Sequence, residues 1–293
     1  FIYSVYIFFL YLVSKNKPVA ISELNRMLLC LSIYLVALNN LNTENVLQRI
    51  FLVWLLSALL VSLYGIGQYY GGINLGKIRL QIPQMQRIMS TFGNPIFYAA
   101  FLVITIPLGL GFFIQTNSLR GRIFLLFALC SMFYALYLTA TRAAWIGLTV
   151  AIAFFISLIL KTKRQKIIFL ILFTLCFMLF AYLTRPVWLR KQEHPLIWRD
   201  TINMFTKNPF GVGLGVYHLY FPKYISDELK SIFPQTRFII NDAHNEYLQI
   251  LAETGILGFI LFFWIIFSFY RYGIKVSGNK KFFSVSILSS GTA

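Results

Sequence analysis

Long apolar runs alternate with short polar segments along this chain, and the lengths of those runs predict its architecture. A helix that crosses the hydrocarbon of a bilayer needs about 20 apolar residues. Runs near that length, bounded by charges or turn residues, occur at Val46–Tyr64, Ile96–Gln115, Ile123–Thr139, Ala143–Leu160, Ile167–Leu183 and Tyr247–Tyr270. Phe1–Val13, Met27–Leu41 and the stretch from Phe282 onward are shorter or partial. The pattern predicts an all-α, polytopic transmembrane helix bundle of about eight or nine crossings. Because the chain opens on Phe1 and closes within an apolar run, both ends are expected to be truncated.

Charge between the runs orients the bundle. Lys161, Lys163, Arg164 and Lys166 form one basic knot, Arg271, Lys275, Lys280 and Lys281 another, and Arg120 and Arg122 agree with them. Cytoplasmic loops carry such an excess of Lys and Arg. Counting crossings from these anchors puts Gly71–Pro95, Thr139–Arg142 and Thr184–Glu246 on the opposite side. Lys15, Lys17 and Arg26 fit this scheme poorly if Met27–Leu41 spans, and that run can also be re-entrant or interfacial. Three regions follow: membrane helices over 1–183, a large outer loop over 184–246, and membrane helices over 247–293. The loop mixes charges with Trp188, Trp198, Phe205, Tyr217, Tyr220, Phe221 and Phe233, an aromatic content that argues for order. Within it, Ile197–Phe205 reads as a short helix stopped by Asn208 and Pro209.

Composition narrows the functional classes. Hydrophobic residues make up 58% of the chain and charged ones 12%, a balance foreign to soluble domains. The net charge of +17 comes mostly from segments between apolar runs, where Lys and Arg set topology and touch anionic lipid. Nucleic acid is not expected as a partner, because no basic stripe lies on a soluble face. Cys30, Cys130 and Cys176 sit inside apolar stretches and read as inert core thiols. No Cys or His has metal-ligand spacing, His194 and His218 included, so neither metal nor cofactor is expected.

The strongest local signal is AHNEYLQILAETG at Ala243–Gly255, where polar chain runs into an apolar helix. Asp242 reads as the N-cap, which would set His244, Leu248, Leu251 and Gly255 on one helical face at the outer membrane boundary. His244 is then either an interfacial residue that hydrogen-bonds locally or a functional one. Glu253 falls roughly 15 Å into the bilayer at about 1.5 Å per residue, where a lone carboxylate is costly and should face a polar cavity or meet a cation. Arg142, in TATRAAW, either snorkels to headgroups or clamps phosphate with its fork of donors. Arg199 either pairs with Asp200 or plays the same clamping part. Gly211, Gly213 and Gly215, in NPFGVGLGVYH, suit a tight backbone turn better than a nucleotide loop, since no Lys-Ser/Thr follows.

Together the pieces STFGNPIFYAAFLVITIPL (Ser90–Leu108), TATRAAWIG (Thr139–Gly147), WRDTINMFTKNPFGVGLGVY (Trp198–Tyr217) and AHNEYLQILAETGILG (Ala243–Gly258) resemble the O-antigen ligases and related O-antigen polymerases of bacterial envelopes. The likeness covers about Gly65–Phe267 and rests on the order and spacing of the pieces around one large loop. The first 60 residues match nothing diagnostic, and the family usually has more helices.

The resemblance implies a multi-pass glycosyltransferase of the inner membrane, with its site facing the periplasm, acting in lipopolysaccharide biosynthesis. It implies an undecaprenyl-pyrophosphate-linked glycan as donor and lipid A-core or another glycan as acceptor, with membrane lipids as surroundings and no metal. Arg142 and Arg199 would hold the donor pyrophosphate and His244 would be the functional histidine. A supporting part for Glu253, orienting or balancing the cationic site, and for Asn245 is inferred from the residues and not from the resemblance. Two arginines at a low-dielectric boundary would stabilise a leaving pyrophosphate, and a histidine changes charge in the right range to accept an acceptor-hydroxyl proton. A polymerase of the same family is the nearest alternative. An anion transporter is the more distant one, since transporters place their sites near the midplane, often within paired repeats.

Overall fold

The structure is a computed structural model that describes residues 1–41, 43–75, 78–160, 162–183, 193–232, 240–277, 287 and 291. Most of the run from Phe282 onward lies outside the described residues, as do Lys161, Lys280 and Lys281 of the basic knots and Arg185, Trp188, Arg190, Lys191, Phe233 and Arg237 of the outer loop. Among the described residues the regular elements are helical apart from one small antiparallel pair of strands. Its order is α1 (Ile2–Val13), α2 (Lys17–Asn40), α3 (Glu44–Tyr70), β1 (Gly72–Leu75), β2 (Ile78–Gln81), α4 (Pro95–Gln115), α5 (Leu119–Leu138), α6 (Arg142–Ile159) and α7 (Lys163–Leu183). After these come α8 (His194–Lys207), α9 (Tyr217–Tyr220), α10 (Asp227–Ile232) and α11 (Glu246–Ser277).

Local chemistry sets many of the helix starts. Thr43, Asn94 and Ser118 accept hydrogen bonds from the amides of Val46, Ile96 and Gly121, satisfying donors that the first turn leaves open. Pro18 and Pro95 lie in first turns, where their missing N–H costs nothing. Among the described residues six helices are long and apolar enough to cross a membrane: Lys17–Asn40, Asn45–Tyr70, Pro95–Gln115, Leu119–Leu138, Arg142–Ile159 and Glu246–Lys275. α1 is apolar but shorter, and α7 carries the Ile167–Leu183 run, with side chains from 176 onward outside the described set.

The run at Met27–Leu41 belongs to a longer helix than expected, because α2 begins at Lys17. Two charges that fitted poorly have local partners: Lys17 Nζ donates to the last carbonyls of α1, Tyr11 O at 2.6 Å and Leu12 O at 2.5 Å, and Arg26 pairs with Glu23 at 2.6 Å. Cations at a helix C-terminus are favourable. Cys30 and Cys130 correct the expectation of core thiols, since both are exposed on helix surfaces among outward apolar side chains such as Leu29, Ile33 and Phe127.

The chain forms two compact units. One comprises Asn42–Leu179 and Tyr270–Ala293. Here α5 packs on α3 and α4, and α4 packs on α6, around Tyr98, Leu102, Ile106, Met132, Leu136 and Leu148. The irregular segment before α4 is tied to α3 by Gln68, whose Oε1 accepts from Ser90 N (2.8 Å) and whose Nε2 donates to Ser90 O (3.1 Å).

The other unit comprises Phe1–Leu41 and Phe180–Phe269. α11 breaks inside it at Gly255, whose φ of 69° and ψ of −174° are not helical. A break frees carbonyls and amides that an apolar surrounding cannot satisfy. The glycine-rich loop takes them up: Val212 N donates to Ala252 O and Gly213 N to Glu253 O, each at 3.0 Å, and Ile256 N donates to Pro209 O at 3.0 Å. Tyr6 of α1 donates its hydroxyl to Thr254 O at 2.8 Å. Leu214 then packs among Ile7, Leu10, Ala20 and Leu24 of α1 and α2.

So close an approach needs bare backbone. A Cβ on Gly211 would lie 2.3 Å from Glu253 O, and one on Gly255 would lie 2.3 Å from the Phe210 carbonyl carbon. Gly213 also has positive φ, but a Cβ there would meet only Val216 Cγ2, at 3.4 Å. Gly211→Ala and Gly255→Ala are therefore expected to cost about 3 kcal/mol or more, and Gly213→Ala about 1–2 kcal/mol of backbone strain. Thermal melting of detergent-purified protein checks the order; a wild-type melting point for Gly211→Ala would refute the threaded loop.

Candidate functional site

The helix α11 starts at Glu246, and Asn245 rather than Asp242 is its cap: Asn245 Oδ1 accepts from Leu248 N at 3.2 Å. His244 consequently sits in the turn before the helix, at φ 49°, and not on a helical face with Leu248 and Leu251. Asp242 holds that turn instead. Its Oδ1 accepts from the His244 amide at 3.0 Å and lies 3.0 Å from His244 Nδ1, with both side chains half exposed. Asx turns of this kind stabilise left-handed backbone that a β-carbon otherwise disfavours.

A second element supports the histidine. α8 begins three residues earlier than the sequence pattern puts it, so His194 is helical, and its ring packs 5.0 Å from that of His244. Trp198, one turn along, stacks on His194 and donates Nε1–H to Ala243 O at 3.1 Å. The opposite face of α8 buries Ile197, Thr201 and Met204 against Tyr217 and Phe221. Thr201 Oγ1 and the Tyr217 hydroxyl lie 2.6 Å apart, and burial pushes the Tyr217 phenol well above its ordinary pKa.

Arg199 lies about 100° around α8 from Trp198. Its guanidinium donates to Glu228 Oε2 at 2.8 Å and Ser226 Oγ at 2.9 Å, and its Nε is 3.5 Å from Asp200 Oδ1. The hydrogen bond to Glu228 pushes its pKa up. Both partners of the Arg199–Glu228 pair are largely exposed, so the pair contributes little to stability. Asp200 is buried and does different work: its Oδ2 accepts from Ser226 N and Ser226 Oγ, each at 2.8 Å.

Glu253 is 8% exposed and meets backbone amides, where a polar cavity or a cation was expected. Its carboxylate accepts from Gly215 N at 2.9 Å and Tyr217 N at 3.2 Å, with Gln249 Nε2 at 3.4 Å. Two N–H groups directed at one carboxylate supply the partial positive charge that burial demands. The glycine-rich loop is thus a partner for Glu253 and for the helix break, in keeping with the backbone-turn reading.

Arg142 belongs to the other unit, as the first residue of α6. The N-cap Thr141 makes no side-chain cap, because its hydroxyl is engaged by Arg87 Nη2 at 3.1 Å. Arg87 Nε also donates to Thr139 O at 2.7 Å, bracing the turn that contains Ala140 at φ 50°. Arg87 was not visible as a candidate in sequence, since it lies in irregular chain and reaches its partners across more than fifty residues. Helix N-termini favour negative charge, and Arg142 stands at that of α6. Among the described residues no group of three His, Cys, Asp or Glu is placed to hold a metal ion.

Set against known families, residues 125–263 match the family model described as O-Antigen ligase. No curated protein and no solved structure matches the chain. The matched segment contains Arg142, Arg199, His244, Asn245 and Glu253, as well as Asp242 and His194.

The two acidic neighbours of Arg199 should separate on mutation. Asp200→Ala removes a buried acceptor and leaves part-buried donors at Ser226 unpaired, and is expected to destabilise by about 1–3 kcal/mol. Glu228→Ala breaks an exposed pair, with little expected change in stability. Chemical or thermal unfolding of the purified variants checks this, and equal losses would contradict the assignment.

Proposed function

We propose that this chain, O-antigen ligase-like over residues 125–263, is a membrane glycosyltransferase that moves a glycan from an undecaprenyl-pyrophosphate donor to lipid A-core. Members of the family are multi-pass membrane enzymes of the ligase and polymerase type, and six apolar helices agree with that setting. The observation that carries the reading is the position of His244. Its ring stands half exposed, outside the helix, propped by α8, in the segment that matches the family. A side chain so placed can meet a hydroxyl, which a core histidine cannot.

In this reading the acceptor hydroxyl attacks the anomeric carbon while His244 takes its proton. The bond to the pyrophosphate breaks, and its electron pair leaves with that group. Arg199 binds the leaving pyrophosphate, whose charge rises as the bond breaks, and Arg142, the first residue of α6 in the other unit, is the second candidate for that part. Guanidinium suits the part because its planar fork matches phosphate oxygens two at a time. Glu253 and Asn245 support the histidine through backbone, Glu253 by fixing the loop to α11 and Asn245 by capping that helix. The site faces the periplasm of the inner membrane, where lipid-linked donors and lipid acceptors meet.

Purified protein supplied with lipid-linked donor and lipid A-core tests the proposal. His244→Ala is expected to lower transfer by about 10²–10⁴-fold while donor binding persists. Arg142→Lys and Arg199→Lys keep the charge but lose the fork, and each is expected to lower transfer roughly tenfold or more, about 1.4 kcal/mol of transition-state stabilisation. Near-normal transfer by His244→Ala would remove the base. A product made only when a second lipid-linked glycan replaces lipid A-core would reassign the protein as a polymerase.

A further inference from the structure

His244 has two ring nitrogens, and a base can use only the one that carries no hydrogen. We infer that Asp242 is a positioning residue that holds His244 in the tautomer protonated at Nδ1 and so makes Nε2 the atom that receives the acceptor's proton. The inference rests on the transferase reading above and adds to it the residue that orients the base.

Three contacts support it. Asp242 Oδ1 lies 3.0 Å from His244 Nδ1, a distance at which Nδ1–H donates to the carboxylate. The same oxygen accepts the His244 amide at 3.0 Å, which fixes the carboxylate relative to the backbone that bears the ring. The His194 ring packs on His244 from α8, and Trp198 behind it is tied to Ala243 O, so the turn is held from a second element. Among the described residues no hydrogen bond engages Nε2, and the side chain is half exposed.

The charged and titratable groups in contact with the ring are Asp242 on its own segment and His194 on α8. In the step itself the acceptor O–H bond breaks as its oxygen bonds to the anomeric carbon, and the proton moves to Nε2. The imidazolium that results has the Asp242 carboxylate against its other nitrogen, which offsets the new charge. Asp242 touches neither substrate nor the reacting atoms. Its effect passes through the ring.

The test reads the tautomer directly. Protein labelled with ¹⁵N-histidine is observed by NMR in detergent at a pH where the imidazole is neutral, and the three histidines are assigned by single replacement. The His244 signal is expected to show Nδ1 protonated and Nε2 bare in the wild type, and a mixture in Asp242→Ala. A wild-type ring protonated at Nε2, or a tautomer unchanged in Asp242→Ala, would overturn the inference. Asp242→Asn keeps an oxygen for the backbone turn but removes the charge, and it is expected to lower kcat about 10–100-fold with KM for both substrates unchanged. Melting temperature monitors folding in each variant. A fall in kcat that Asp242→Asn shares with an equal rise in KM, or no fall at all, also counts against it. Should His244→Ala retain transfer, the base reading fails by itself, while the tautomer spectrum still reports whether Asp242 orients the ring.

Discussion

The packing of α8 and of the glycine-rich loop hangs on the break in α11 at Gly255. An intact helix would satisfy its own backbone and need no neighbour. A broken one presents Ala252 O, Glu253 O, Thr254 O and Ile256 N to an apolar surrounding, where each unmet group costs several kcal/mol. The loop Pro209–Gly213 and Tyr6 supply the partners. Gly211 and Gly255 approach so closely that a methyl group on either would overlap the other strand's backbone. Register between loop and helix is therefore fixed to the residue, and Gly215 and Tyr217 fall where their amides reach the Glu253 carboxylate.

That registration carries outward. With Tyr217 fixed against Glu253, its ring packs on Phe221 and its hydroxyl meets Thr201, so α8 is seated by the same loop that fills the break. α8 in turn presents His194 and Trp198 to the turn holding His244. The histidine is thus positioned by two routes, one along the chain through the Asn245 cap and one through the loop and α8. Gly211, Gly213 and Gly215 act through backbone geometry alone, since none of them carries a side chain.

The sequence made the helical architecture readable because membrane helices repeat one length and one composition, as α4, α5 and α6 do within a few residues of their apolar runs. It also located the segments that matter, because AHNEYLQILAETG and NPFGVGLGVYH are polar or glycine-rich interruptions in apolar chain. Tertiary pairing was not readable. Asp242 had the residue type and offset of an N-cap, and only the positive φ of His244 shows that Asn245 took that part and left Asp242 to the ring. Glu253 suggested a polar cavity or a cation because charge is what a sequence displays, whereas its partners include two backbone amides invisible in any sequence. Arg87 shares neither motif nor periodicity with the turn it braces.

A broken membrane helix also has another meaning, on which the contacts bear. In transporters the freed backbone groups of interrupted helices bind the ion or substrate, which requires that they be left to the cavity. Here, the carbonyls of Ala252, Glu253 and Thr254 and the amide of Ile256 already have partners within the chain, as does the Glu253 carboxylate. A cation entering the break would have to displace the loop and forfeit those hydrogen bonds, each about 1 kcal/mol net, along with the seating of α8. The break therefore serves as an anchor for the glycine-rich loop and, through Tyr217, for α8. Beyond that anchor the same unit exposes a histidine with a carboxylate on one nitrogen and an arginine whose acidic partner is itself exposed.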